Sequence, residues 1–544
     1  MTLPKKRRRL LFLLLLLMAL PVLWRVGRLL SYSPVRTNSF LWGAYHVHTT
    51  FSDGRADLKG LAQAARRDGL SFVLLTDHGS PNRESSTVNR VISGVTVLGG
   101  SEASLPEGRL AVLGPPALPP YRLPPHPPEA VEEIRQWGGM AVITYPEDPS
   151  HLWRYHGEDL TGDGLEILNL ATSFRRLSPL GKAAAVVETL ISPYAFLSRV
   201  TPPTEPLALW DRLLERGKCW GFYGIDAHGQ VPLLGNLNLP LPSYGSLFKL
   251  YSLGVDKRYS DSPERAIRNG DFFSLIRGAG EPRSFTFQLR QGHRILRSGE
   301  SAEKPEGELE FTVQGVPSRS WQIRIFRNGR LWLQGNSETL RAPVPGPGIY
   351  RGEITLQNHP FLKRSVPWIL TNPIWIATPP PPAKAERPIR TLSSLSLDEL
   401  RVERDEGSSA GYIFSGGQGL WNFNLRAPSR ERPNRWVALS YRIPLDLSGA
   451  EGIWVEGSSQ RPLRIWVELR GEGKELRGSL KIMPGLCRRL FLPFDRLFLP
   501  DGRREGPPRV TQSLFLSINN LNVAEALSGE LLLKGVGLGK REGR

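Results

Sequence analysis

Between residues 41 and 277 the chain alternates short, almost wholly apolar runs with amphipathic ones, and past residue 284 that alternation stops. The apolar runs 41–48, 70–76, 95–99, 109–113, 140–144, 165–170 and 218–225 predict strands. The stretches 57–68, 128–137, 181–190 and 207–216 predict helices. The first helix carries Leu58, Leu61, Ala62 and Ala65 on one face and stops at Gly69. The second opens on proline and closes at Gly138-Gly139. Strands that are apolar on both faces, joined by helices, belong to a parallel sheet covered by helices, either a barrel or a doubly wound sheet.

A chain of 544 residues exceeds what one core supports. Residues 41–283 make the α/β unit. Residues 284–377 break into short alternating segments at 285–289, 308–313, 321–326, 331–334 and 350–356, split by Gly, Pro and Asn-Gly, which predicts a small antiparallel β domain. Residues 378–391 form a proline-rich linker. Residues 392–541 return to strand-like segments and predict a β-sandwich. Its Trp421, Trp436, Trp454 and Trp466 give it a weak resemblance to galactose-binding-like jelly rolls, but tryptophans in a sandwich are more often core than sugar platforms.

The first 31 residues are of another kind. Lys5, Lys6, Arg7, Arg8 and Arg9 abut an uninterrupted apolar run over 10–24, with no clear small-x-small cleavage site after it. This predicts an uncleaved signal anchor that leaves the bulk of the chain extracytoplasmic, at the membrane; a cleaved signal and a secreted chain is the alternative. Seven of the positive charges behind the net +18 precede residue 31. No nucleic-acid module and no basic helix with interleaved aromatics follows, so nucleic acid is not an expected partner. Two cysteines, Cys219 and Cys487, exclude a disulfide framework and a Cys-rich zinc site. Cys219 reads as a small buried hydrophobe.

Chemistry gathers at strand ends. The first strand closes on His46-Val47-His48, an i, i+2 pair that alternation would place on one face. Asp53 follows in the next loop. The second strand ends in Thr76-Asp77-His78, a later one leads into Gly100-Ser101-Glu102, and the run 218–225 ends in Asp226-Ala227-His228. Side chains from several parallel strand ends build barrel active sites. Four histidines at such ends, each near a carboxylate, point to metal binding by His and carboxylate, a set that suits zinc, manganese or iron. His126, His293 and His359 fit no constellation and read as surface residues.

The ordered series His-Val-His-Thr-Thr-Phe-Ser-Asp-Gly, Leu-Leu-Thr-Asp-His, Ser-Glu and Asp-Ala-His-Gly resembles the motif series of the PHP (polymerase and histidinol phosphatase) superfamily. The long C-terminal extension resembles its exported branch, typified by carbaryl hydrolase. The resemblance covers roughly residues 42 to 280. It implies a distorted (β/α)7 barrel with up to three metal ions: one site from His46, His48, Glu102 and Asp226, and another from Asp53, His78 and His228. A further site, bridged by Glu102, normally has two more histidines. Here Ala111 and Tyr145 stand at those positions.

The expected cofactors are therefore one or two divalent ions rather than three. The expected activity is hydrolysis by metal-activated water of phosphoesters first and other esters second, on a small-molecule or glycan-linked substrate. Arg83 and Tyr145 are candidate substrate-binding residues. Glu147, Asp148, His151 and His156 follow Tyr145 closely enough to replace the missing imidazoles. The competing reading is a non-catalytic envelope protein that binds glycan or metal through a degenerate site.

Overall fold

The computed structural model describes residues 20–542 except 22, 116–121, 235–236, 240–241, 379–387, 430, 433, 486 and 521–525, with the backbone alone for the rest of 231–241. Most of the apolar run predicted to anchor the chain lies outside the described residues, as does most of the proline-rich stretch. Among the described residues no helix is long and apolar enough to cross a membrane.

The α/β unit is built on ten strands: β1 (Phe40–Val47), β2 (Phe72–Leu75), β3 (Asp77–His78), β4 (Asn89–Ile92), β5 (Val95–Leu98), β6 (Gly100–Leu105), β7 (Gly108–Leu113), β8 (Met140–Thr144), β9 (Gly164–Asn169) and β10 (Trp220–Gly224). They divide between two sheets. One runs β4-β5-β2-β1 and continues into β11 (Ser252–Asp256) and β12 (Phe273–Leu275). The other runs β3-β6-β7-β8-β9-β10. The sheets meet twice. β2 leads directly into β3, and the end of β1 bridges in parallel to Ala227, just beyond β10.

Among the described residues, the α-helices between β1 and β10 are α1 (Leu58–Arg67), α2 (Arg83–Ser86), α3 (Pro127–Gln136), α4 (Leu170–Arg175), α5 (Pro179–Ile191) and α6 (Thr204–Leu214), and Tyr244–Phe248 and Pro263–Asn269 are helical beyond β10. Asp57 caps α1, accepting from the Gly60 amide, and Leu61, Ala62 and Ala65 are buried as their spacing predicts. The plan departs from uniform β-α alternation at β7, which is antiparallel to both β6 and β8. Only Pro106 and Glu107 separate β6 from β7, a link that allows a hairpin but no parallel crossover.

Strand Pro367–Thr371 pairs with β12, and Gly348–Leu356 pairs with it in turn, so the sheet of the α/β unit runs on into the following segment. One apolar core accordingly extends from Leu29 to Ile376. A second, from Leu395 to Leu538, lies in the C-terminal unit, whose two larger sheets are antiparallel and accompanied by the short pair Leu445–Asp446 and Val510–Thr511. Trp421 and Trp454 are buried there. Strand Ile389–Ser394 already pairs with Leu527–Arg541 of this unit.

Three isolated residues behave as follows. Cys219 is buried, and burial pushes its thiol pKa well up. His126 and His359, expected at the surface, are buried instead. The His126 ring packs edge-on against Tyr155. His359 Nδ1 accepts from the Phe361 and Leu362 amides, and its Nε2 lies 2.8 Å from the Tyr32 hydroxyl. For His359 these partners satisfy polar atoms that the sequence assigns to solvent.

Candidate metal centre

The ends of β1 and β10 run side by side. The Ile225 amide donates to the Tyr45 carbonyl, Ala227 to His46, and His48 to Ala227, at 3.0 to 3.1 Å. The His-x-His and Asp-x-His triplets thus lie back to back. Simple alternation is not what aims them. β1 is bulged between Tyr45 and Val47, and His46 has φ +68°; Asp226 has φ +49°. Tyr145, one residue past β8, has φ +53°. Three non-glycine residues in the left-handed region at the end of one α/β unit mark backbone held against its preference, as at functional sites.

Their side chains converge with those of Asp53, His78, Glu102 and His228. His46 Nε2 lies 3.7 Å from Glu102 Oε2 and 3.6 Å from Asp226 Oδ1. His48 Nε2 lies 3.8 and 3.4 Å from the same two oxygens. Around Asp53 stand His78 Nε2 at 3.4 Å, His228 Nε2 at 3.3 Å and His48 Nδ1 at 3.7 Å. Two groups emerge, His46-His48-Glu102 and His48-Asp53-His78-His228, with His48 common to both. His46, His48 and Glu102 are fully buried, whereas the Asp53 side chain is 55% exposed, so Asp53 marks the open side.

These separations fit a shared ion. Ligand atoms about 2.1 Å from one metal in a tetrahedron lie about 3.4 Å from one another. Both nitrogens of His48, Glu102 Oε1 and Asp226 Oδ1 are buried without a hydrogen-bond partner. Orphaned polar atoms of this kind are costly unless something else satisfies them. Burial depresses the His48 pKa to about 4, which keeps its imidazole neutral, the form that ligates.

Surrounding residues fix the cluster. Glu166, in the middle of β9, lies 2.6 Å from His46 Nδ1, and its other oxygen accepts from the Tyr145 amide. That pairing turns His46 Nε2 toward Glu102 and Asp226. A methyl group at Gly224 would overlap the Glu166 carboxylate, so β10 needs glycine there. Asp77, of the Thr-Asp-His motif, accepts from the Thr49 amide and from the Thr49 and Ser52 hydroxyls, bracing the loop that carries Asp53.

The Tyr145 hydroxyl donates to Asp226 Oδ2 at 2.9 Å and lies 3.1 Å from His46 Nε2. Burial, then the nearby Asp226, Glu102 and Glu166, push its pKa well above the ordinary value and keep it a neutral phenol. Asp148 does not join the cluster. It accepts from Arg175, Thr172 and the Ser150 and His151 amides. Glu147 pairs with Arg176. His151 packs against the Tyr145 ring. Arg83 opens α2, next to Asn82, whose side-chain amide donates to the His78 carbonyl. Two other arginines reach the cluster's carboxylates: Arg109 Nη1 donates to Glu102 Oε2 at 3.3 Å, and Arg175 Nη2 to Asp226 Oδ2 at 3.1 Å.

Sequence reading missed Glu166, Arg109 and Arg175. The available signal for Glu166 was an acid inside the apolar run Leu-Glu-Ile-Leu, where a buried charge demands a partner.

No protein-family model matches the chain. A stretch of 140 residues is 28% identical to an uncharacterised protein of Methanocaldococcus jannaschii, covering 23% of this chain and 79% of that protein. Among solved structures, a two-domain protein from Bacteroides vulgatus containing a predicted PHP-like metal-dependent phosphoesterase aligns with 63% of this chain and 98% of its own, at 12% identity and a TM-score of 0.28. A family 11 carbohydrate-binding module from Clostridium thermocellum aligns with 28% of this chain and 96% of its own, at 12% identity and a TM-score of 0.21. At such TM-scores neither likeness bears on what the site does.

Proposed function

We propose that the chain is a metal-dependent hydrolase of the PHP type, in which one or two divalent ions are held by His46, His48, Asp53, His78, Glu102, Asp226 and His228. The observation that carries this reading is the buried, partnerless pair His48 Nε2 and Asp226 Oδ1, 3.4 Å apart, with Glu102 Oε2 3.8 Å from the same nitrogen, separations suited to a common ion. On this reading the two abutting sheets form a distorted barrel, and the site lies where strand ends converge. The paired sheets of the C-terminal unit support a jelly-roll-like sandwich.

A bound divalent ion supplies Lewis-acid polarisation of a substrate oxygen and a lowered pKa for coordinated water. The protein's own residues do the rest. Glu166 holds the His46 ring in one orientation. Tyr145 and Arg175 engage Asp226 Oδ2 and leave Oδ1 facing the imidazoles. Asp53, on the open side, faces incoming substrate. The substrate class is esters, phosphoesters first.

Elemental analysis of the purified protein, beside a His46→Ala/His48→Ala variant, tests the metal reading; equal, negligible metal in both overturns it. A screen of generic phosphoester and carboxyl-ester substrates on the loaded protein then tests hydrolysis. The extracytoplasmic placement rests on the basic cluster at 5–9 abutting the apolar run. A reporter fused after residue 40 that is active only in the cytoplasm would contradict it.

A further inference from the structure

Glu102 and Asp226 each face two ways. Glu102 Oε2 meets the imidazoles of His46, His48 and His78 and also accepts from Arg109. Asp226 turns Oδ1 to the imidazoles and Oδ2 to Tyr145 and Arg175. Both guanidinium carbons also lie within 6 Å of the Tyr145 ring centre, at 5.8 and 5.3 Å. So the flank where Ala111 and Tyr145 replace metal-binding imidazoles is not simply vacated. Arg109 stands two residues before Ala111 on β7, on the same face, and its longer side chain reaches the carboxylate that pairs across the sheet with Ala111.

The two arginines are held differently. Arg175 is fixed by Asp148 at 2.8 Å as well as by Asp226, and Asp148 is itself anchored by Thr172 and two backbone amides. Arg109 makes one long side-chain hydrogen bond, to Glu102, and its side chain is 21% exposed. Its partial exposure and single bond leave further N–H donors of the guanidinium for a ligand beside the cluster. Two permanent positive charges equal that of one divalent ion. Unlike a metal, a guanidinium presents a planar fork that matches two oxygens of an anion.

We propose that Arg109 and Arg175 bind a tetrahedral oxyanion, the phosphate or sulfate group of an ester substrate, on the Tyr145 flank of the cluster. Arg109 donates directly to the anion. Arg175 adds fixed positive charge and keeps Asp226 in place. This rests on the metal-dependent reading above and deepens it, selecting anionic ester substrates over neutral ones.

Calorimetric titration of orthophosphate, and separately of sulfate, into the zinc-loaded full chain in detergent tests the idea, with metal content measured on the same samples. Arg109→Gln should weaken binding of the preferred anion roughly 10- to 100-fold, the scale of a lost charge-assisted contact, at unchanged metal content. Arg109→Lys, which keeps the charge without the fork, should fall between. Preference for orthophosphate points to phosphoesters, and preference for sulfate to sulfate esters. Equal anion affinity in Arg109→Gln and the parent at equal metal content overturns the proposal, and so does a metal-loaded parent that binds neither anion. A parent that takes up no metal sinks the metal reading instead. In that case anion binding that still depends on Arg109 supports the subsite, and anion binding indifferent to Arg109, or absent, overturns it.

Discussion

Tyr145 donates its hydroxyl proton to Asp226 Oδ2 across 2.9 Å, and both residues hold left-handed backbone conformations at the ends of their strands. Such conformations cost a non-glycine residue about 1–2 kcal/mol each. The link between the two side chains helps hold them there. Tyr145→Phe keeps the ring beneath the arginines and removes this donor. Asp226 Oδ2 keeps Arg175, so the metal-free protein should lose about 1.5–3 kcal/mol of stability, the scale of one hydrogen bond to a charged group. Urea unfolding measures this, and an unchanged midpoint would show that the phenol does not brace the site.

Glu166 touches the cluster only through His46, at 2.6 Å. Glu166→Gln retains the shape and removes the charge. Residues that orient a ligating imidazole typically change metal affinity by about 10- to 100-fold. Competition with a chromophoric chelator should register a loss of that size. Gly224→Ala, whose methyl displaces the Glu166 carboxylate, should give a similar loss without touching any ligand.

In the metal-free protein His78 has its pKa raised to about 9. Burial works against this, but hydrogen bonds to Asp53 and Glu102 outweigh it. The raised value means that His78 contributes stability below its unfolded pKa near 6.5 and loses it as pH climbs through about 9. At pH 7.5 the ring is therefore protonated and must release its proton to ligate. Calorimetry of metal binding at that pH, in buffers of different ionisation enthalpy, should detect net proton release. His78→Gln should release fewer protons. No buffer dependence in the parent would mean that His78 is not a ligand.

The C-terminal unit docks on the α/β unit through a buried ion pair between Arg464 and Glu133, whose side chains are 3% and 5% exposed. Arg464 also donates to the Arg122 carbonyl and the Ser479 hydroxyl. Arg464→Ala leaves the buried Glu133 carboxylate to the more distant Lys481, 3.8 Å away, and should destabilise the protein by up to about 3–5 kcal/mol. Pairing it with Glu133→Gln should recover part of that loss. Thermal unfolding of both variants checks the coupling, and equal losses would show that the charge, once stranded, costs nothing.

Most residues that converge on the cluster were legible because they stand at or just past the end of an apolar run visible locally; Asp53 follows in a loop and Glu102 lies near the start of β6. What makes them converge was not. The bulge at His46 and the left-handed turn at Asp226 go with the pairing of β1 with the segment past β10, more than 170 residues away, and the Tyr145 turn with the bond of its amide to Glu166. The hairpin of β6 and β7 was foreshadowed by Pro106-Glu107-Gly108, a turn too short for a crossover. The continuation of the sheet through β12 into Pro367–Thr371 left no local trace, since an edge strand and a paired one share the same alternation. Arg109 and Arg175 were invisible for a similar reason: a lone arginine in sequence is ordinarily a solvated one.

Restoring the missing imidazoles tests the account of the altered flank. Ala111 is fully buried beside Glu102, and Tyr145 lies between His46 and Asp226, so histidines at both positions put two new nitrogens next to existing carboxylates. A further divalent ion there must share the space with Arg109 and Arg175. Like charges at about 4 Å repel by roughly 4 kcal/mol per unit pair in a partly buried setting. The double change Ala111→His/Tyr145→His should therefore gain little metal. Adding Arg109→Gln removes one of the opposing charges, and the triple variant should bind one more ion than the parent. Elemental analysis after equilibrium dialysis gives the stoichiometries. A full additional equivalent in the double variant would mean that the arginines do not occupy the electrostatic place of a metal. No gain in the triple variant would mean that the flank cannot be returned to metal binding by its side chains alone.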